Sequence, residues 1–108
     1  MIYIDLFCSA GMSTSLLAQK MQRAADEHGL PIEIQAYSSG KIEELVSSDH
    51  VPSCILLGPQ VRFMYEDINE RFGSEIPVSV IDSSDYGSLN GERVLKQAIV
   101  LIKQAKKN

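Results

Sequence analysis

The chain has 108 residues, a formal net charge of −4 and a pI near 5.0, which excludes the clustered Lys and Arg of a nucleic-acid footprint and points to protein or small-molecule partners. Its length suits one domain spanning residues 1–108, with roughly two thirds of the unfolded surface buried. No basic leader and no apolar run of the roughly 20 residues that cross a bilayer is present, so a cytoplasmic location is expected; Cys8 and Cys54 lack metal or redox spacing and read as free thiols, and no cofactor is expected.

Ile2 to Phe7 opens the chain as a strand. It runs into Cys8-Ser9-Ala10-Gly11-Met12-Ser13-Thr14-Ser15, a loop of small and hydroxylated residues. A helix from about Ser15 to His28 follows, with Leu16, Leu17, Met21, Ala24 and Ala25 on one side and Gly29 as its stop. In the second strand, Ile32 to Tyr37, Ile32, Ile34 and Ala36 alternate with Glu33 and Gln35, the pattern of a half-exposed edge. A short helix around Lys41 to Ser48 buries Ile42, Leu45 and Val46. Cys54 to Leu57 is apolar throughout and belongs at the sheet centre, with Cys54 in the core.

Gly58-Pro59-Gln60 turns into a third helix around Val61 to Phe72, which buries Val61, Met64, Ile68 and Phe72. A fourth strand spans Val78 to Ile81, a loop spans Asp82 to Gly91, and Asn90-Gly91 opens the last helix through Val94, Leu95, Ala98, Ile99 and Ile102. Lys103, Lys106 and Lys107 suit the negative end of that helix. His28 and His50 read as solvated residues. Strands alternating with helices predict an α/β fold: a four-stranded parallel sheet of order 2-1-3-4, helices on both faces, and right-handed crossovers. A ligand then sits beyond the carboxyl ends of strands one and three, where the order reverses. The loops Cys8 to Ser15, Gly58 to Gln60 and Asp82 to Gly91 converge there.

Cys8 is the candidate nucleophile. Backbone N–H groups that curl toward one point, together with the positive end of the following helix, favour an anion there, whether thiolate or phosphate. The loop lacks the second Gly and the Lys-Ser/Thr of a nucleotide P-loop. It resembles the phosphate loop of cysteine-dependent phosphatases, Cys-x5-Arg-Ser/Thr, but Thr14 stands at the Arg position. Without the guanidinium fork that clamps a transferring phosphoryl group, Cys8 suits holding a phosphoryl group and passing it on. Backbone groups from Ala10 to Ser15, through Gly11 and Met12, and the hydroxyls of Ser9, Ser13, Thr14 and Ser15 are expected to surround the phosphoryl oxygens, with Gly11 at positive φ. Gln60 is placed at the rim. Asp82 and Tyr86 are secondary candidates, with Asp82 favoured as a cap because a carboxylate repels a phosphocysteine; Asp85 has weaker support.

The stretches Leu6 to Leu17, Leu56 to Val61, and Val80-Ile81-Asp82 with Tyr86-Gly87 together resemble the IIB component of the phosphoenolpyruvate-dependent sugar phosphotransferase system, lactose/cellobiose (N,N′-diacetylchitobiose) family. The resemblance implies a fold similar to low-molecular-weight tyrosine phosphatases. It also implies a relay: phosphohistidine of a IIA component phosphorylates Cys8, and phospho-Cys8 donates to a sugar of cellobiose, chitobiose or lactose type during uptake through a membrane IIC component. The carrier is then a cytoplasmic monomer, transiently at the inner face of the membrane, that meets IIA around Cys8 through Met12 and nearby apolar side chains. The alternatives are a small cysteine-dependent phosphatase or arsenate reductase, and an anion-binding module without covalent chemistry.

Overall fold

The computed structural model describes residues 1–9 and 12–106, Met12 through its backbone only. The strands are β1 (Ile2–Cys8), β2 (Ile32–Ser38), β3 (Cys54–Leu57) and β4 (Val78–Val80). All neighbours pair in parallel, in the order β2-β1-β3-β4, as the alternation of strands and helices predicts. Register sets Cys8 opposite Ser38 and Phe7 opposite Leu57.

Among the described residues the strands are connected through α1 (Met12–Glu27), α2 (Ile42–Val46) and α3 (Tyr65–Phe72), and α4 (Ser83–Gly87) and α5 (Gly91–Lys106) follow β4. Because strand side chains alternate in direction, β1 feeds two cores. Ile4 and Leu6 pack with Leu17 and Met21 of α1 and Val94, Leu95 and Ala98 of α5. Phe7 packs on the other face with Ile42, Ile55, Leu57, Val61 and Ile68. Cys54 is fully buried in the first core, where burial and then the nearby Asp5 push its thiol up to about 12. Both cysteines are free thiols.

Several boundaries differ from the sequence reading. Helix α1 begins at Met12 rather than Ser15, because Ser13 and Thr14 enter its first turn. Residues 39–48 divide into a 3-10 turn at Ser39–Lys41 and the single α-turn α2. Pro59–Met64 is likewise 3-10, with Val61 outside helical geometry (φ −116°, ψ 22°), so the α-helical part starts only at Tyr65. The segment expected to be a loop, Asp82 to Gly91, contains α4. A cap makes that turn: Ser84 and Asp85 donate their backbone N–H groups to Asp82 Oδ1 at 2.9 and 3.2 Å.

Gly29 ends α1 at φ +63°, the left-handed conformation that glycine adopts without penalty. Asn90 caps α5 by accepting from Arg93 N–H at 3.2 Å. Between α4 and α5 the positive φ of 53° falls on Leu89, a residue with a Cβ. Lys103 and Lys106 stand in the last turn of α5, and Lys107 lies outside the described residues.

The free edge of β2 is occupied by a side chain. Gln22 of α1 donates Nε2–H to Ile32 O at 2.9 Å and accepts Ile34 N–H on Oε1 at 2.8 Å. It satisfies one donor and one acceptor that would otherwise template another strand.

Candidate active site

Cys8 is the last residue of β1, 4% exposed, and α1 begins at Met12. The first turn of α1 carries no acidic residue, so the positive end of the helix is left unneutralised toward the end of β1. Ser9 is exposed, and Ala10 and Gly11 lie outside the described residues. The expectations for the backbone of Ala10, for positive φ at Gly11 and for contact through the Met12 side chain fall on that stretch. Ser13 and Ser15 are exposed on the first turn of α1.

Thr14, in place of the phosphatase Arg, is 1% exposed, and its Oγ1 lies 2.9 Å from the Tyr86 hydroxyl. Either oxygen can donate. Whichever does, the other keeps its own proton, so the pair retains one O–H for an acceptor. The bond ties α1 to α4 and puts Tyr86, a loop candidate in the sequence, in a defined position with its ring against the larger core.

Gly58 follows β3 and donates its N–H to Phe7 O at 2.8 Å. A Cβ built there would stand 3.4 Å from Cys8 Cβ, 3.4 Å from Phe7 O and 2.9 Å from Gln60 Oε1. The absent side chain at residue 58 is therefore what lets the β3 loop lie against Cys8. The sequence places Gly58 in a loop that converges on the end of strand one, without this contact; the signal is a Gly directly after an apolar central strand, where close backbone approach is common. Gln60 is exposed with its carboxamide over Gly58.

Asp82 spends its carboxylate on the cap of α4. Asp85 is buried and paired with Arg93 of α5 at 3.1 Å, so it serves as a strut between α4 and α5, a role that sequence spacing does not reveal. The segments Cys8–Ser15, Gly58–Gln60 and Asp82–Gly91 contain no Lys, Arg or His. These loops therefore offer no side-chain cation to an anion at Cys8. Among the described residues no cluster of His, Cys, Asp and Glu could hold a metal ion, and no helix is long and apolar enough to cross a membrane.

A parallel sheet with a thiol at its carboxyl end, where the strand order reverses, defines a class of α/β proteins that handle anions at a strand–helix junction. Comparison with known proteins narrows that class. The family model for the lactose/cellobiose-specific IIB subunit of the phosphotransferase system matches residues 4–97. The galactose-specific EIIB component of Lactococcus lactis subsp. cremoris is 43% identical over 88% of this chain and 91% of its own length. The cellobiose-specific EIIB component of Lactococcus lactis subsp. lactis is 42% identical over the same shares. The solution structure of a cellobiose-specific IIB component from Borrelia burgdorferi superposes with a TM-score of 0.78, at 34% identity, covering 96% of this chain and 94% of that one. The chain belongs to the lactose/cellobiose family of IIB components of the sugar phosphotransferase system.

Proposed function

We propose that this chain is a phosphoryl carrier with Cys8 as the acceptor, working as a cytoplasmic monomer between a IIA component and a membrane IIC component. In the first step the Cys8 thiolate attacks the phosphorus of a phosphohistidine on IIA; the S–P bond forms, the N–P bond breaks, and the leaving nitrogen keeps the bonding pair and takes up a proton, so that neutral imidazole departs. In the second step a hydroxyl of a cellobiose-, chitobiose- or lactose-type sugar attacks. The O–P bond forms, the S–P bond breaks, the hydroxyl proton is released, and Cys8 returns as thiolate.

The observation that carries this reading is Thr14, buried and hydrogen-bonded to Tyr86 where a hydrolytic phosphatase places its Arg. A guanidinium clamp stabilises the phosphoryl-transfer transition state for attack by water. Neutral donors hold the phosphoryl group without it, and the thiolate remains a good leaving group for a positioned hydroxyl. The backbone and hydroxyls of residues 9–15 are the proposed cradle, with Gly58 keeping the approach to the sulfur open and Gln60 on the rim.

The test is intact mass measurement after incubation with phosphoenolpyruvate, the general phosphotransferase proteins and a IIA partner. One phosphoryl adduct is expected, absent in Cys8→Ser. No adduct with any IIA component would sink the proposal. Turnover of an aryl phosphate without partners would instead favour a phosphatase, and full biological output from Cys8→Ser would favour a binding module.

A further inference from the structure

On the face of the sheet opposite α1 and α5, Tyr3 and Asp5 of β1 lie beside Glu33, Gln35 and Tyr37 of β2, and the β2–β3 crossover brings His50 over them. These six residues line a pocket of about 230 Å³. The His50 ring stands edge-on to Tyr3, with centroids 4.9 Å apart, while His50 stays exposed, as its sequence position suggests. Tyr37 stacks on Phe7 at 5.8 Å, which anchors the opposite wall in the core.

Asp5 is the unusual member. It is 3% exposed, in the middle of a central strand, and its carboxylate has neither a hydrogen bond nor an ion pair among the described residues, though it lines the pocket. Burial, and then Glu33, push its carboxyl up to about 6, with His50 acting the other way. Asp5 and Glu33 also push the Tyr37 phenol up, behind burial. The pocket floor thus carries a carboxylate with no protein partner among the described residues, and because none of their fully buried side-chain oxygens lacks a partner, this carboxylate opens into the pocket, where a charged donor can reach it.

We propose that this pocket binds a small organic cation carrying a primary ammonium group, its N–H donors on Asp5 and Glu33 and its alkyl stem between Tyr3 and Tyr37. The chemistry favours that class over its rivals. A charged N–H donor compensates a buried carboxylate better than a neutral hydroxyl does, and aromatic walls suit an alkylammonium. The same carboxylates do not form a metal-ligating cluster. The pocket is also smaller than the roughly 300–1,000 Å³ of drug-sized sites, which suits a short diamine.

The experiment titrates the full chain with putrescine and follows amide resonances, with 1,4-butanediol as the uncharged isostere and sodium chloride at matched ionic strength as the second control. Shifts are expected at residues 3, 5, 33, 35, 37 and 50 with putrescine alone. Affinity should fall on the order of tenfold in Asp5→Asn. If that variant folds poorly, Glu33→Gln, altered at an exposed position, should still weaken binding roughly threefold. Equal shifts with butanediol or salt, no shifts at these residues, or unchanged affinity in the folded variants would overturn the proposal.

Discussion

At the scale of single residues, two of the buried polar side chains, Thr14 and Asp5, do opposite things to the fold. Thr14 is paired, and Tyr86→Phe, which removes only the partner oxygen, should lower the unfolding free energy by about 1 kcal/mol in urea titrations. Asp5 is unpaired. Its folded carboxyl titrates near 6 against an ordinary 3.8, so between those values the native state holds more protons than the unfolded chain, and this contribution to stability falls as pH rises. The penalty is absent below about pH 3.8 and full above about pH 6. Asp5→Asn should therefore be more stable than the parent by about 1–3 kcal/mol at pH 7.5, with the gap closing toward pH 4.5; a gap independent of pH would contradict this. Gly58→Ala adds a methyl group 3.4 Å from Cys8 Cβ, while its tightest contact is with the movable Gln60 side chain. The expected outcome is an unfolding midpoint little changed and, under the proposed relay, Cys8 phosphorylation by IIA slowed by about tenfold, since small misplacement of reacting atoms is costly.

At the scale of elements, α1 and α5 cross with backbone close to backbone at Gly91. A Cβ on Gly91 would meet Lys20 C and Met21 N at 2.7 Å, backbone atoms that move only if a helix moves. Gly91→Ala should cost about 1–3 kcal/mol by the same measurement. Asn90-Gly91 was legible as a helix start, and Gly91 was not legible as a packing site, because nothing local reports which backbone will cross it. The same division holds elsewhere. Strand β3 matches its sequence reading residue for residue, because a short apolar run bounded by Ser53 and Gly58 has few other uses. Helix α4 was missed, because Ser83-Ser84-Asp85-Tyr86-Gly87 has turn composition and becomes helical only through the Asp82 cap. The neutral loop at Cys8 was readable from composition and spacing. The Thr14–Tyr86 and Asp85–Arg93 pairs were not, since each depends on where α4 comes to rest.

At the scale of the whole molecule, β1 is shared by both cores through Ile4 and Leu6 on one side and Phe7 on the other, so neither layer can lose its packing alone. Unfolding should be a single cooperative transition. Tyrosine fluorescence samples both faces, through Tyr3 and Tyr37 on one and Tyr86 on the other, and should coincide with far-UV circular dichroism; separated midpoints would show the layers to be independent. The three loops around Cys8 carry no basic side chain, and under the proposed relay this governs traffic as well as chemistry. A phosphoryl group adds its charge to loops that hold no basic side chain of their own, beside the exposed Asp82. Under that relay, loaded and empty carriers differ in electrostatic potential at the spot a partner must touch, so the field itself distinguishes the two states.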